Sequence, residues 1–297
     1  MAKKAGSSSQ TNESRMYLHK AISEIHEDIQ MRLAGETNLS TLYFAGKPGC
    51  GKTQSIRELA KVNNYGLITM NISMETVERF GGIPECIKME FKEDNGNITT
   101  EYQTTWSIPE VITYLREASK KNKAVICFLD DWHLASPNIQ QLGYELFTDY
   151  SIRGHKIPNN VVFVLAGNDT PSAGARAHFS AVMNRVAKIL VEADFTYWRD
   201  HFAIPAGVHS AVLSFLERRE NSAFFHGEED TFNPWPSPRS WTNFSSKLNF
   251  KEKNGTLKNL DVYEQTVLCN AFVGLEAGSA FQAYYQIYSR FNMDAIF

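Results

Sequence analysis

The stretch Gly46-Lys47-Pro48-Gly49-Cys50-Gly51-Lys52-Thr53 decides the fold of this chain. It matches the phosphate-binding pattern G-x-x-x-x-G-K-[ST] at every fixed position. The residues before it, Leu39 to Ala45, are typical of a buried strand, and those after it, Thr53 to Val62, have apolar side chains at helical spacing. Because strand, loop and helix follow in that order, we expect a phosphate-binding loop within an α/β sheet.

The residue types suit a loop that binds an anion. Glycine lets the backbone fold closely around a phosphate, so that N–H groups and the positive end of the next helix point at it. Lys52 is expected to reach the β- and γ-phosphates, and the Thr53 hydroxyl to be a ligand of Mg²⁺. The alternative is a glycine-rich turn with a chance Lys-Thr pair. We predict nucleotide contacts from Pro48, Gly49, Cys50, Gly51, Lys52 and Thr53.

The composition is that of an ordinary globular protein. The chain of 297 residues exceeds the usual size of one domain, 43% of it is hydrophobic, and its net charge of −3 gives no general attraction to polyanions. Four scattered cysteines without C-x-x-C spacing argue against a zinc site and favour a reducing cytoplasm. No apolar run approaches the length of a membrane span, and residues 1–15 are typical of a disordered tail.

A second buried strand ends in two carboxylates. Ala124 to Leu129 is a continuous apolar run, and Asp130 and Asp131 follow it directly. Acids at the carboxyl end of a buried parallel strand lie where α/β sheets bind their ligands. We predict that Asp130 holds the Mg²⁺ shell and that Asp131 is the base that polarises the attacking water.

The rest of the pattern divides the chain into two parts. Strands alternate with helices over residues 16–193, which predicts an α/β core with a parallel five-stranded sheet. The spacing is helical over residues 194–297, which predicts a helical lid domain. Two segments of the core alternate with period two around turn residues, so we expect inserted hairpins near 87–102 and 151–158.

Asn168 is a further candidate because it follows the apolar run Val161 to Ala166 at the end of another expected strand. At such a strand tip its amide would orient water beside the γ-phosphate. Gly167-Asn168-Asp169 is also an ideal turn sequence, and local sequence alone favours the turn.

The order of these parts resembles the AAA+ superfamily, and more narrowly its MoxR-type branch, which includes forms carried by bacteriophages. The resemblance runs from about Ala21 to the C-terminal helices. It is carried by Gly46 to Thr53, Phe80 to Glu85, Phe128 to Asp131, Ala135 to Pro137, Ala166 to Asn168, Asn184 to Val186, and Trp235 to Trp241. The last stretch is especially specific, since a Ser-Pro-Arg helix start in the lid is where this branch has its second sensor.

The resemblance implies roles for further residues. Asn168 would be the first sensor, which places the hydrolytic water together with Asp131. Arg239 would be the second sensor, which reports the γ-phosphate to the lid, and its alternative is a surface arginine. Arg185 would be the arginine finger that enters the site of a neighbouring subunit. There are two alternatives: Arg185 forms a structural ion pair, or Arg176 is the arginine finger in its place.

The same resemblance implies an ATPase that binds ATP and Mg²⁺, assembles as a ring of six subunits, and remodels a protein partner in the cytoplasm of a bacterium or phage-infected host. MoxR-type proteins commonly act with a von Willebrand factor A domain protein, and their inserted hairpins face the central pore or the partner. No membrane is involved in this interpretation.

Two other classes of function remain open. A DNA-directed motor or loader would use the same ATPase core, but the basic side chains of the hairpins are offset by acidic ones, which disfavours DNA. An ATP-dependent assembly scaffold with slow turnover is favoured by Asp131, because the family usually has glutamate there, which is one methylene longer.

Overall fold

The structure is a computed structural model, and it describes residues 14–37, 39–92, 98–168, 182–219, 223–226 and 233–290. The strands are β1 Met16–Tyr17, β2 Thr41–Ala45, β3 Gly66–Asn71, β4 Pro84–Lys92, β5 Ile98–Trp106, β6 Val125–Asp130, β7 Ser151–Ile152, β8 His155–Lys156, β9 Val161–Gly167 and β10 Val186–Glu192. The α-helices are α1 Leu18–Leu33, α2 Lys52–Val62, α3 Val77–Gly81, α4 Glu110–Lys121, α5 Pro137–Asp149, α6 Phe195–Trp198, α7 Ser210–Arg218, α8 Pro238–Lys253, α9 Val262–Val273 and α10 Leu275–Tyr288.

A parallel sheet forms the centre of the N-terminal part. Its strands lie in the spatial order β1-β10-β2-β9-β6-β3, and every neighbouring pair is parallel. The parallel sheet and the helical C-terminal region predicted from the sequence are confirmed. The sheet has one strand more than the five predicted, because Met16 pairs with Val191 in the two-residue strand β1. A strand that short has too few residues to show a period in the sequence.

Both faces of the sheet are buried, which explains its continuous apolar strands. Successive side chains of a strand point to opposite faces. In β6, Val125, Cys127 and Leu129 therefore pack into one core with side chains of α4 and α5. Ile126 and Phe128 pack into a second core with side chains of α1 and α2.

The C-terminal helices share a third apolar core, which includes the fully buried rings of Trp241 and Phe281. Helix α8 begins with a capping box, in which Ser237 Oγ accepts the Ser240 N–H at 3.1 Å and Ser240 Oγ accepts the Ser237 N–H at 2.8 Å. Pro238 occupies the first helical turn, where its missing N–H costs nothing. Among the described residues, no helix has both the length and the apolar character needed to cross a membrane.

The first inserted hairpin is longer than its sequence pattern indicates. Strands β4 and β5 pair antiparallel from Lys92 and Ile98 down to Pro84 and Trp106, and most of their side chains are exposed. We call these two strands the arm. Backbone hydrogen bonding continues below them, since the Ser107 N–H donates to the Ile83 carbonyl at 2.8 Å. The tip that the sequence places at residues 94–97 lies outside the described residues.

The second hairpin, β7 with β8, packs against the base of the arm. The Arg153 guanidinium lies 3.9 Å from the centre of the Trp106 ring, and His155 Nε2 lies 3.1 Å from the Trp106 carbonyl oxygen. Ser151 Oγ and the Gly154 N–H both donate to the Glu145 carboxylate on α5, at 3.2 and 3.1 Å. The small hairpin therefore joins α5 to the arm.

Candidate active site

The phosphate-binding loop leaves the sheet from its central strand. Gly46, the first residue after β2, donates its N–H to the Gly167 carbonyl at the end of β9, at 3.1 Å. A Cβ atom on Gly46 would lie only 2.6 Å from the Val191 carbonyl oxygen of β10. The loop thus emerges between two neighbouring strands, where glycine alone leaves enough room.

Two later glycines give the loop its curvature. Gly49 has a φ of +82° and Gly51 a φ of +106°, values at which an L side chain is strained. A Cβ atom on Gly49 would lie 2.9 Å from Ser237 Oγ and 3.7 Å from Arg239 Cβ. The first turn of α8 therefore lies directly against the loop, which brings Arg239 to the site although it is distant in sequence.

The Lys52 ammonium group lies inside the loop. Its Nζ donates to the carbonyls of Gly46 at 2.6 Å and Lys47 at 3.3 Å, and lies 3.8 Å from the sulfur of Cys50. The side chain of Cys50 is buried. A buried ammonium held by carbonyl dipoles supplies a fixed positive charge at the mouth of the loop, which suits a phosphate.

Thr53 and Asp130 form the candidate magnesium site. Thr53 Oγ1 donates to Asp130 Oδ2 at 2.8 Å, so the start of α2 and the end of β6 bring two oxygen ligands together. Mg²⁺ takes oxygen ligands and is commonly held by only one or two protein groups plus phosphate oxygens and water. The donor set of these two residues fits that ion.

Asp131 turns away from Asp130 because its backbone is left-handed, with a φ of 55°. Its N–H donates to Asp130 Oδ1 at 3.0 Å, and its Oδ2 accepts a hydrogen bond from Asn71 Nδ2 at 3.3 Å. Asn71 ends β3 and pairs in register with Asp130. The two acids therefore have separate surroundings, which agrees with separate roles for them.

Asn71 is a site residue that sequence reasoning missed. The available signal was a polar side chain at the end of the strand next to the one with the two acids. Its Oδ1 also accepts hydrogen bonds from the N–H and the hydroxyl of Ser73, at 3.1 and 2.6 Å. These two contacts fix the orientation of the amide, so that its NH₂ group faces Asp131.

His133 is a second residue that was missed, and it joins the acids to the expected first sensor. Its Nδ1 accepts the backbone N–H of Asn168 at 3.4 Å, just beyond the end of β9. Burial lowers the pKa of His133, and the nearby carboxylate of Asp131 opposes that shift. A neutral ring is required here, because a protonated Nδ1 would not accept the hydrogen bond.

The two candidate arginines lie at opposite ends of the sheet. Arg239 is beside the phosphate-binding loop, at the carboxyl ends of the strands. Arg185 directly precedes β10, whose first residue Val186 pairs with Thr41 at the amino end of β2. The rival residue, Arg176, lies outside the part of the chain that the structure describes.

A comparison with protein families agrees with the α/β part of this architecture. The family model "ATPase family associated with various cellular activities (AAA)" matches residues 42–189. No curated protein matches the sequence. Among solved structures, three mutant forms of Thermotoga maritima RuvB are similar in fold, at 12%, 12% and 14% identity and TM-scores of 0.44, 0.42 and 0.46. The matches cover 92%, 89% and 89% of this chain and 74%, 68% and 68% of those chains.

The matched region contains the phosphate-binding loop, both acids and Asn168, all at the carboxyl edge of a parallel sheet. Residues 42–189 are therefore an AAA domain with the α/β AAA+ fold, and the protein is a P-loop ATPase.

Proposed function

We propose that this protein is a MoxR-type AAA+ ATPase that binds ATP with Mg²⁺, works as a ring of six subunits, and uses the hydrolysis cycle to remodel a protein partner. AAA+ proteins typically assemble into rings. A von Willebrand factor A domain protein is the proposed partner, following the resemblance in sequence.

The separation of Arg185 from the phosphate-binding loop carries this proposal. Strand β10 has seven residues and runs parallel to β2, so about 20 Å of extended chain lies between its two ends. An arginine side chain does not reach across that distance. If Arg185 stabilises a transferring phosphoryl group, that group belongs to a neighbouring subunit, and the active unit is an oligomer.

The geometry of the site supports the other roles that we propose. Lys52 holds the phosphates by charge, and Thr53 with Asp130 holds the ion. Mg²⁺, when bound, neutralises charge on the phosphate oxygens. Asp131 accepts a proton from the attacking water, which Asn168 helps to orient.

Arg239 would communicate the state of the phosphates to the lid. Helix α8 begins against the phosphate-binding loop, so a change at the phosphates would shift the position of the whole helix. Movement of α8 would then be the mechanical output on the lid side of the site.

The arm is the proposed surface for the protein partner. Ile87, Met89 and Phe91 alternate along β4 and share one face, and Ile87 and Phe91 are exposed. The described charges of the arm are three acidic and two basic side chains, Glu85, Glu90, Glu101, Lys88 and Lys92, and Lys88 bonds Glu90 at 2.6 Å. An arm with apolar side chains and balanced charge suits a protein better than a nucleic acid.

A scaffold that binds ATP but turns it over slowly is the second candidate. The short side chain of Asp131 and its hydrogen bond to Asn71 favour this candidate, because both restrain the base from approaching a water molecule.

The test combines ATP turnover with particle mass for the wild type and Arg185→Ala, each with and without ATP and Mg²⁺. We expect the variant to bind ATP and assemble as the wild type does, but to lose turnover. A monomeric protein whose turnover is unchanged by the substitution would contradict the ring. Normal assembly with negligible wild-type turnover would favour the scaffold.

A further inference from the structure

The side chain of Arg185 is held by two residues on the outer face of α5. Its guanidinium carbon lies 3.7 Å from the centre of the Tyr144 ring, and its Nη2 donates to the Tyr144 hydroxyl. Its Nε donates to Thr148 Oγ1 at 3.1 Å. Tyr144 and Thr148 are one helical turn apart, so they form a single platform along the helix. The platform fixes both the plane and the direction of the guanidinium group.

A neighbouring face of α5, about 100° around the helix from the platform, packs on the segment that follows the two acids. Trp132 is fully buried, and its ring lies 5.3 Å from that of Phe147 in an edge-to-face arrangement. A Cβ atom on Gly143 would lie 2.5 Å from the Trp132 ring, so only glycine permits this close approach. Gly143 and Phe147 immediately precede Tyr144 and Thr148 in sequence. One helix therefore contacts the acid-bearing segment on one face and Arg185 on the neighbouring face.

We propose that Tyr144 and Thr148 are positioning residues for Arg185, and that α5 links the acid-bearing segment of one subunit to the active site of its neighbour. This inference rests on the proposed shared site. A change in the subunit's own site that displaces Trp132 would move the whole of α5, because the helix packs directly against the Trp132 ring at Gly143. The platform would then present Arg185 to the neighbouring phosphates, or withdraw it.

A chain with this design should need its platform only in the subunit that supplies the arginine. Rings made of two inactive variants test that asymmetry. Asp131→Asn keeps the binding loop and Arg185 but lacks the base, and Arg185→Ala keeps the base but lacks the arginine. In a mixed ring, active sites form where an Asp131→Asn subunit supplies Arg185 to an Arg185→Ala subunit. Native mass spectrometry of the mixture identifies the mixed rings.

We expect the mixture to regain turnover and Tyr144→Ala in the Asp131→Asn subunit to lower the regained kcat by about tenfold, with little change in KM. The same substitution in the Arg185→Ala subunit is the matched control, and it should leave the regained turnover unchanged. Tyr144→Phe, which keeps the ring, and Thr148→Val, which removes the hydroxyl, should each lower kcat by about threefold when placed in the supplying subunit. Thr148→Ser should restore it.

The possible failures are distinguishable. Mixed rings that form but regain no turnover would overturn the shared site and the platform with it. Regained turnover that is unaffected by Tyr144→Ala in the supplying subunit would overturn the platform alone. An equal loss from Tyr144→Ala in either subunit would show that the tyrosine merely stabilises the fold, which also overturns the platform.

Discussion

The hydroxyl of Thr53 donates a hydrogen bond of 2.8 Å to the carboxylate of Asp130, across 77 positions of sequence. The contact joins the first turn of α2 to the end of β6. Thr53 is also the last residue of the phosphate-binding loop. The relationship yields a prediction about the metal ion. Two further contacts of the site yield one prediction each, and a half-buried carboxyl on α1 yields a fourth.

Thr53→Val should weaken the response to Mg²⁺, because valine has nearly the same shape but lacks the oxygen ligand. We expect the Mg²⁺ concentration for half-maximal turnover to rise by about tenfold or more. Thr53→Ser keeps the hydroxyl and is the matched control. Titration of turnover with Mg²⁺ at saturating ATP measures the effect, and equal behaviour of the two variants would contradict the assignment.

Gly49→Ala should lower nucleotide affinity by pushing helix α8 away from the loop. The new Cβ would lie 2.9 Å from Ser237 Oγ, and φ is +82°. Gly154→Ala is the control, because its φ is +79° and no atom lies within 4 Å of the added Cβ. Both should lose about 1 kcal/mol of stability from backbone strain. Calorimetry with a non-hydrolysable ATP analogue should show weaker binding for Gly49→Ala alone. Similar losses of nucleotide affinity in both variants would contradict the role of the contact between Gly49 and Ser237.

Asn71→Ala should reduce turnover without changing ATP affinity, because the amide orients the Asp131 carboxylate at 3.3 Å and does not belong to the binding loop. We expect kcat to fall by about tenfold. Asn249→Ala removes a comparable hydrogen bond, from its Nδ2 to the Gly207 carbonyl at 2.9 Å in the helical region, and should leave kcat unchanged. Steady-state kinetics with both variants decide the matter. An increase in kcat would mean that Asn71 restrains the base and would favour the scaffold.

Asp28→Asn should stabilise the protein at neutral pH. Burial, reinforced by the charges of Glu24 and Glu27 and opposed by Arg32, raises the pKa of Asp28 to about 6. Because the pKa of Asp28 is higher in the folded chain than in the unfolded chain, its charged carboxylate begins to cost stability above the unfolded pKa. The full cost is present above a pH of about 6. The half-buried carboxyl is partly screened by solvent, so we expect a gain of about 1 kcal/mol at pH 7.5.

The gain from Asp28→Asn should vanish near pH 4, where the carboxyl of the wild type is protonated in the folded state. Urea unfolding at the two pH values measures the difference. Glu58→Gln, at an exposed side chain on α2 that is not among the charges acting on Asp28, is the control and should give little gain at either pH. A gain that is equal at both pH values would contradict the titration of Asp28.

Much of the site could be predicted because its parts are local in sequence. The loop from Gly46 to Thr53 needs only a strand before it and a helix after it, and all three are continuous in the chain. The two acids follow an apolar run whose burial is evident from its composition. Asn71 and His133 were missed because their roles arise from contacts between different strands, and neither has a local motif.

The roles proposed for Asp131, Asn168, Arg185 and Arg239 stay predictions. The structure supplies their surroundings, which sequence reasoning could not. Asn71 faces Asp131, and His133 accepts the backbone N–H of Asn168. Such neighbours depend on the order of the strands in the sheet, which the sequence constrains only weakly.

The sequence by itself determined the α/β class, the binding loop, the two acids and the presence of both hairpins, because the spacing of apolar side chains and glycines sets local structure. Tertiary packing decided which distant groups meet. The start of helix α8 reaches Gly49 because a glycine leaves room for Ser237, and Arg185 lies far from its own loop because β10 runs parallel to β2. These relationships depend on strand order and close packing, and no local pattern of residues encodes either.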